Sequence, residues 1–222
     1  VEQTFEFPQS EFELTQNDTL KFHDIDLMDL IREYGTPLKF SYLPKISTNI
    51  NNAKAWFTKA MTEIDYKGSY NYCYCTKSSH FSHVLDEVLK NDVHIETSSA
   101  IDINIVQELK KKGTVTNNTF ILCNGFKRDQ YIENIAELIN QGQKNCIPII
   151  DNYQEISLLN EVVTGKYKIG IRIASEEEPK FEFYTSRLGV GYKNIVPFYK
   201  SQIQNNEKVE LKMLHFFINT GI

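Results

Sequence analysis

The chain has 222 residues, of which 41% are hydrophobic and 24% charged, and a formal net charge of −5. This is the composition of an ordinary globular protein with room for one large α/β domain or two small ones, and its acidic balance argues against a non-specific nucleic-acid binder. No apolar run reaches the roughly 20 residues of a membrane helix, and the first ten residues lack the basic and apolar regions of a secretory signal.

In chain order, residues 1–22 contain short alternating pieces, TFEF and EFEL, that read as strands or extended arms. Asp26 to Tyr34 reads as a short helix closed by Gly35. After Pro37 the run LKFSYL reads as a strand. Between residues 46 and 65, Ile50, Ala53, Trp56, Phe57, Ala60, Met61 and Ile64 recur at helical spacing. From residue 69 the pattern becomes regular. SYNYCYCTK, VHIE, TFILCN, CIPIID and YKIGIRIA read as strands. Helices are expected between them, with faces Phe81, Val84, Leu85, Val88 and Leu89, then Ser99–Lys112, then Ile132, Ile135, Ala136 and Ile139, then 153–163. Ser99 and Asp102 are placed as a capping pair. A helix at 194–205 and a strand at 210–218 complete about six strand–helix steps.

Continuous apolar strands alternating with amphipathic helices belong to parallel sheets covered by helices. An open doubly wound sheet and a (β/α)8 barrel both satisfy that pattern. No GxGxxG or GxxxxGK[ST] loop follows the first strand, which lowers the nucleotide readings. The cysteines Cys73, Cys75, Cys123 and Cys146 form no CxxC pair. Free thiols in a reducing compartment, the cytoplasm, are the expectation.

The strand Tyr70–Lys77 puts its tyrosines on one face and Asn71, Cys73, Cys75 and Lys77 on the other. In a barrel the smaller set faces the interior and Lys77 stands at the C-terminal end, where such barrels carry their chemistry. A lysine there that loses its charge is a nucleophile able to form a Schiff base. A lysine simply solvated in the following loop fits the local pattern as well.

The segment YCYCTKSS resembles the first barrel strand of the fold-type III pyridoxal-phosphate enzymes, with Lys77 on the cofactor lysine and Tyr74 on the tyrosine before it. ILCNGFKRDQYI, residues 121–132, is similar to the third-strand segment of biosynthetic arginine decarboxylases. HIETSSAIDINIVQEL resembles the second-strand turn, IGIRIASEEE with TSRLGVG the fifth-strand segment, and LHFFINTG the sixth-strand motif. The resemblance implies an alanine-racemase-like, TIM-type (β/α)8 barrel that binds pyridoxal phosphate, incomplete in this chain. Residues 37–222 would form that barrel. Residues 1–36 would be an N-terminal arm that packs with a C-terminal β-domain.

The resemblance also implies site residues. Lys77 holds the cofactor, Glu96 and Arg172 lie beside it, and Arg187-Leu188-Gly189 stands for the family's Lys-Phe-Gly. His215 matches the first histidine of the sixth-strand motif, expected to be structural. Phe217 replaces the second, ring-stacking histidine. It can still stack but cannot titrate. Asn219 replaces the following glycine, and Thr220 stands for the phosphate-binding serine. The implied reaction is decarboxylation of arginine to agmatine and CO2, feeding polyamine synthesis, in a homodimer or higher homo-oligomer without nucleic-acid or membrane partners. The same resemblance allows a Mg2+ ion but gives it no ligands in this chain. Because the chain stops just past the sixth strand, it is expected to be an N-terminal fragment, inactive alone. The alternatives are a diaminopimelate or carboxynorspermidine decarboxylase, a non-catalytic pyridoxal-phosphate-binding homologue, and a degenerate regulator.

Overall fold

A computed structural model describes residues 11–17, 19–174 and 188–217. The chain divides into two units, Val1–Tyr42 and Leu43–Ile222.

In the first unit, β1 (Phe12–Leu14), β2 (Leu20–Phe22) and β3 (Ile25–Asp26) form an antiparallel sheet. EFEL is thus a strand as its alternation predicts, while TFEF lies outside the described residues. Helix α1 (Leu27–Tyr34) starts at Asp26, whose carboxylate accepts the amides of Met28 at 2.8 Å and Asp29 at 3.3 Å. Such a cap satisfies amides that have no partner inside the helix. The expected strand LKFSYL does not form: residues 38–43 join no sheet, and none of them is fully buried. Its apolar positions do a different job. The rings of Phe40 and Tyr42 pack edge-on against Phe22 at 5.4 and 5.3 Å, and Tyr42 stacks on His23 at 4.3 Å.

The second unit begins with α2 (Pro44–Glu63), which has proline at its first position, where the missing N–H costs no helical bond. Of the helical face expected there, only Ile50 is buried. Trp56 and Ile64 stay 70% and 75% exposed, because the helix meets the rest of the unit through its N-terminal half. Then strands and helices alternate: β4 (Cys73–Cys75), α3 (Ser82–Leu89), β5 (His94–Thr97), α4 (Ala100–Lys111), β6 (Ile121–Cys123), α5 (Asp129–Asn140), β7 (Cys146–Ile150), α6 (Gln154–Val162), β8 (Tyr167–Arg172), α7 (Tyr192–Phe198) and β9 (Val209–His215). A π-helical turn at Tyr199–Ile203 extends α7, so the helix expected at 194–205 exists but begins earlier and ends in a wider turn.

The six strands are all parallel and stand in the order β4-β5-β6-β7-β8-β9. A doubly wound sheet reverses its strand order at a switch point. This one never does, so it is barrel-like, with β4 and β9 as the outer strands of the described sheet. Residues paired across parallel strands share a face. One face carries Ile95, Ile121, Cys123, Cys146, Ile150, Ile169 and Ile171, packed with Ile103, Val106, Ile132, Ile135 and Leu159 of the helices. The other, inner face carries Glu96, Leu122, Ile147, Ile149, Gly170 and Met213. A Cβ on Gly170 would lie 2.6 Å from Ile149 Cδ1 and 2.7 Å from Met213 Cγ, so the missing side chain is what lets its neighbours meet across the strand. Tyr72 and Tyr74 pack on the buried cluster of Ile50, Val84, Val88 and Val93, on the helix side as the strand parity predicts.

Candidate active site

The first expected site residue is displaced from its expected position. The strand Tyr70–Lys77 shrinks to Cys73–Cys75, and Lys77 sits in the turn that follows. That turn is pinned on all sides. Thr76, itself buried, donates from its amide and its hydroxyl to the Glu96 carbonyl at 3.0 and 3.2 Å. The Ser78 amide and hydroxyl donate to the Cys75 carbonyl at 3.1 and 2.8 Å, and the Tyr74 hydroxyl donates to the Ser79 carbonyl at 2.9 Å. Lys77 is therefore an exposed side chain on a fixed backbone. Among the described residues its ammonium has no hydrogen-bond or ion-pair partner. The Thr76 amide makes the last ladder bond to β5, and the Ser78 bonds to Cys75 then close the turn that carries the lysine.

Beside this turn, the C-terminal ends of the strands present one polar residue each: Glu96 on β5, Asn124 just after β6, Asp151 just after β7, Arg172 ending β8 and His215 ending β9. Local structure fixes each position. Ser99 caps α4 by accepting the Asp102 amide at 3.3 Å, and Asp102 in turn accepts the Ser98 amide at 2.9 Å, which closes the turn after β5. The segment Leu188–Val190 returns along β8: the Val190 amide donates to the Arg172 carbonyl at 2.7 Å and the Gly189 amide to the Asp151 carbonyl at 3.2 Å. Gly189 has φ 102°, and a Cβ there would fall 2.8 Å from the Ala174 amide nitrogen and 2.9 Å from the Arg172 oxygen. Only glycine combines that backbone angle with that approach. The expected Lys-Phe-Gly counterpart thus has a structural reason at its glycine, while Arg187 lies outside the described residues.

The row is bonded within itself, but incompletely. Asn124 Nδ2 donates to Glu96 Oε1 at 3.0 Å and meets His215 Nε2 at 3.5 Å. Arg172 Nε lies 3.8 Å from Asp151 Oδ1, an ion pair with no hydrogen bond. Among the described residues, the buried side-chain nitrogens and oxygens without a hydrogen-bond partner are Asn124 Oδ1, both Asp151 carboxylate oxygens, Arg172 Nε, His215 Nδ1 and Gln143 Oε1. All but the last belong to this row. Buried polar atoms are normally satisfied, and leaving one unpaired costs about 1–3 kcal/mol, so this row has hydrogen-bonding capacity to spare for a polar partner. Burial holds the His215 imidazole below its ordinary pKa; Glu96 and Asp151 oppose that shift, while Arg172 and Lys127 add to it. The Cys73 thiol is pushed up to about 11 by burial and then by Glu96.

Behind the row lies a second buried pair. Lys127 Nζ donates to the Gly125 carbonyl at 2.9 Å, to Glu155 at 3.1 Å and to the Ile149 carbonyl. Glu155 also accepts the amides of Lys127 at 3.2 Å and Asp151 at 2.9 Å and the side-chain amide of Asn152 at 3.2 Å.

Of the residues expected from sequence, Glu96 and Arg172 come together here. Phe217 lies two residues past β9 and is 59% exposed, and Thr220 lies outside the described residues. His215, expected to be structural, is in the row. Asn124 and Lys127 stood in the quoted CNGFKR string without a role, and Asp151 and Glu155 were missed. Among the described residues no cluster of three or more His, Cys, Asp or Glu side chains could hold a metal, and nothing else in the structure supports the Mg2+ allowed by resemblance. Among the described residues no helix is long and apolar enough to cross a membrane.

Carboxylates, a guanidinium and an amide with unused hydrogen-bonding capacity fit the ring end of pyridoxal phosphate, a flat heteroaromatic with polar substituents.

Comparison with known proteins agrees. The profile of the family described as pyridoxal-dependent decarboxylase, pyridoxal binding domain, matches residues 48–222. The biosynthetic arginine decarboxylase of Prochlorococcus marinus (strain MIT 9215) is 27% identical over 215 residues, covering 89% of this chain and 32% of that protein. The chain thus spans about a third of the length of the curated relatives it matches. Among solved structures, diaminopimelate decarboxylase from M. jannaschii in complex with L-lysine superposes with a TM-score of 0.75 at 18% identity, over 95% of this chain and 48% of that one. The biosynthetic arginine decarboxylase of Campylobacter jejuni does so with a TM-score of 0.70 at 20% identity, over 93% and 36%. At those identities the structures establish the fold alone. Strand order, the polar row and the family match converge: the chain belongs to the pyridoxal-dependent decarboxylases and carries their pyridoxal-binding domain.

Proposed function

We propose that this chain provides the cofactor-binding part of an enzyme that decarboxylates arginine to agmatine and CO2. The row of unsatisfied buried polar atoms beside the Lys77 turn carries the reading. The arginine assignment is supported by the CNGFKR string and by the names of the curated relatives.

When bound, pyridoxal phosphate supplies an electron sink for the pair released as a carboxylate leaves as CO2. The chain's own residues bind and orient. Lys77 offers a primary amine on a backbone fixed by Thr76, Ser78 and Ser79, so its reach is set by side-chain rotation alone. Glu96 holds the Asn124 amide by its Nδ2, which leaves Oδ1 as an acceptor toward the site. Arg172 offers Nε as a donor, with Asp151 keeping its charge balanced. The neutral His215 can donate or accept at Nδ1. Phe217 and Thr220 complete the proposal by resemblance, as a stacking ring and a phosphate-binding hydroxyl. The arm of residues 1–36 packing with a C-terminal β-domain, and a homo-oligomeric assembly, belong to the same proposal.

The test mixes the protein with pyridoxal phosphate beside a Lys77→Ala variant, followed by borohydride reduction and peptide mapping. Label on Lys77 that the variant lacks supports the cofactor site. Label elsewhere, or none in the full gene product, rejects it. CO2 release by the full gene product from arginine, against diaminopimelate and ornithine, then decides the substrate.

A further inference from the structure

We infer that the buried Lys127–Glu155 pair is a positioning pair for the cofactor site, setting where Asn124 and Asp151 stand. The inference deepens the proposed function and rests on it for the identity of the ligand.

Three observations carry it. The pair joins the loop after β6 to the first turn of α6, 28 residues apart in sequence, and through its backbone bonds it reaches the loop after β7. Each loop delivers one residue of the polar row. The pair also grips these loops by their backbones. Lys127 Nζ takes the carbonyls of Gly125, next to Asn124, and of Ile149, two residues before Asp151, while Glu155 takes the amide of Asp151 itself. Finally, the pair is complete in itself. Its side chains are 0% and 1% exposed, and neither has a buried polar atom left without a partner, unlike Asn124 and Asp151. A ligand therefore has nothing to bond in Lys127 or Glu155. Their contribution is to the position of groups that do have spare bonds. Site residues must be held within a fraction of an ångström by a supporting layer of this kind.

A conservative variant tests this. Glu155→Asp keeps the charge opposite Lys127 but withdraws the carboxylate by one methylene from the Asp151 and Lys127 amides. In the full gene product we expect a melting temperature within a few degrees of wild type. Amide exchange at Asp151 should be at least tenfold faster, measured without cofactor, and pyridoxal phosphate affinity at least tenfold weaker. A second variant, Lys127→Met/Glu155→Leu, replaces both charges by apolar groups of similar size, a change that buried pairs often tolerate in stability. The same two losses are expected in it. Wild-type exchange and wild-type affinity in either folded variant would overturn the inference and leave the pair a purely stabilising one. If the wild-type protein binds no pyridoxal phosphate, the cofactor reading falls instead. The exchange rates still decide the pair: acceleration at Asp151 supports positioning, and unchanged exchange rejects it.

Discussion

Two ion pairs with buried carboxylates stand side by side at the same end of the sheet, and they differ in how fully they are hydrogen-bonded. Lys127–Glu155 spends its hydrogen bonds on carbonyls, amides and its partner. Arg172–Asp151 touches at 3.8 Å without a hydrogen bond, and Arg172 Nε and both Asp151 oxygens lack partners. Removing two charges from water costs several kcal/mol per ion unless geometry and further hydrogen bonds compensate. The first pair has that compensation inside the protein. The second lacks it, so its compensation has to come from outside. In the proposed function, saturation with hydrogen bonds separates the residues that build the site from those that meet the ligand.

The largest expected effect breaks the saturated pair. Lys127→Met leaves Glu155 charged and buried without its cation, and should lower unfolding free energy by about 3–5 kcal/mol in urea titration. A loss under about 1 kcal/mol would remove the distinction between the pairs. Next comes Gly189→Ala, which forces a side chain against the Arg172 carbonyl at a positive φ and should cost about 1–3 kcal/mol. Asp151→Asn should be milder, within about 1 kcal/mol in stability because no hydrogen bond to the carboxylate is lost. Its pyridoxal phosphate affinity should nevertheless fall at least tenfold by absorbance titration. A stability loss as large as that of Lys127→Met would contradict the comparison.

The smallest effect concerns pH. Burial places the His215 pKa below its ordinary 6.5, so as pH falls the unfolded chain takes up that proton first. The stability gained from keeping the imidazole neutral is full above about 6.5 and declines as pH falls from there through the folded value. His94 is shifted in the same direction by burial, opposed by Asp92 and aided by Lys54. Comparison of His215→Asn with wild type therefore isolates one histidine. The variant should lose less of its urea midpoint between pH 7.5 and pH 5, and an identical decline would show that His215 contributes nothing.

The local elements were legible where periodicity is long. The helices expected around Phe81–Leu89, Ser99–Lys112 and 153–163 match α3, α4 and α6 to within about two residues at each end. Short apolar runs were less readable. LKFSYL alternates like a strand, yet its rings cover Phe22, and alternation alone cannot tell a ladder from a lid. Lys77 was legible as a chemical group near the end of the first strand, but the pattern left open whether it stands on the strand or in the following loop, because the Thr76 bonds to Glu96 join positions 20 apart in sequence. The same limit explains the site. Glu96 and Arg172 were found through motif resemblance. Asp151 and Glu155 were not, since an acid after an apolar strand is also the ordinary way for a strand to end. Only the pairing of Lys127 with Glu155 across two loops gives them a role.

The sequential strand order has a consequence for heredity. Glu96, Asn124, Asp151, Arg172 and His215 each come from a different strand end, in chain order. No single βα segment carries two of them, so the row exists only once the strands are assembled in one sheet. A mutation in one loop edits one corner of the row, except at Lys127 or Glu155, whose bonds reach both Asn124 and Asp151. Such an architecture lets descendants exchange one binding preference for another piece by piece while the sheet beneath stays the same.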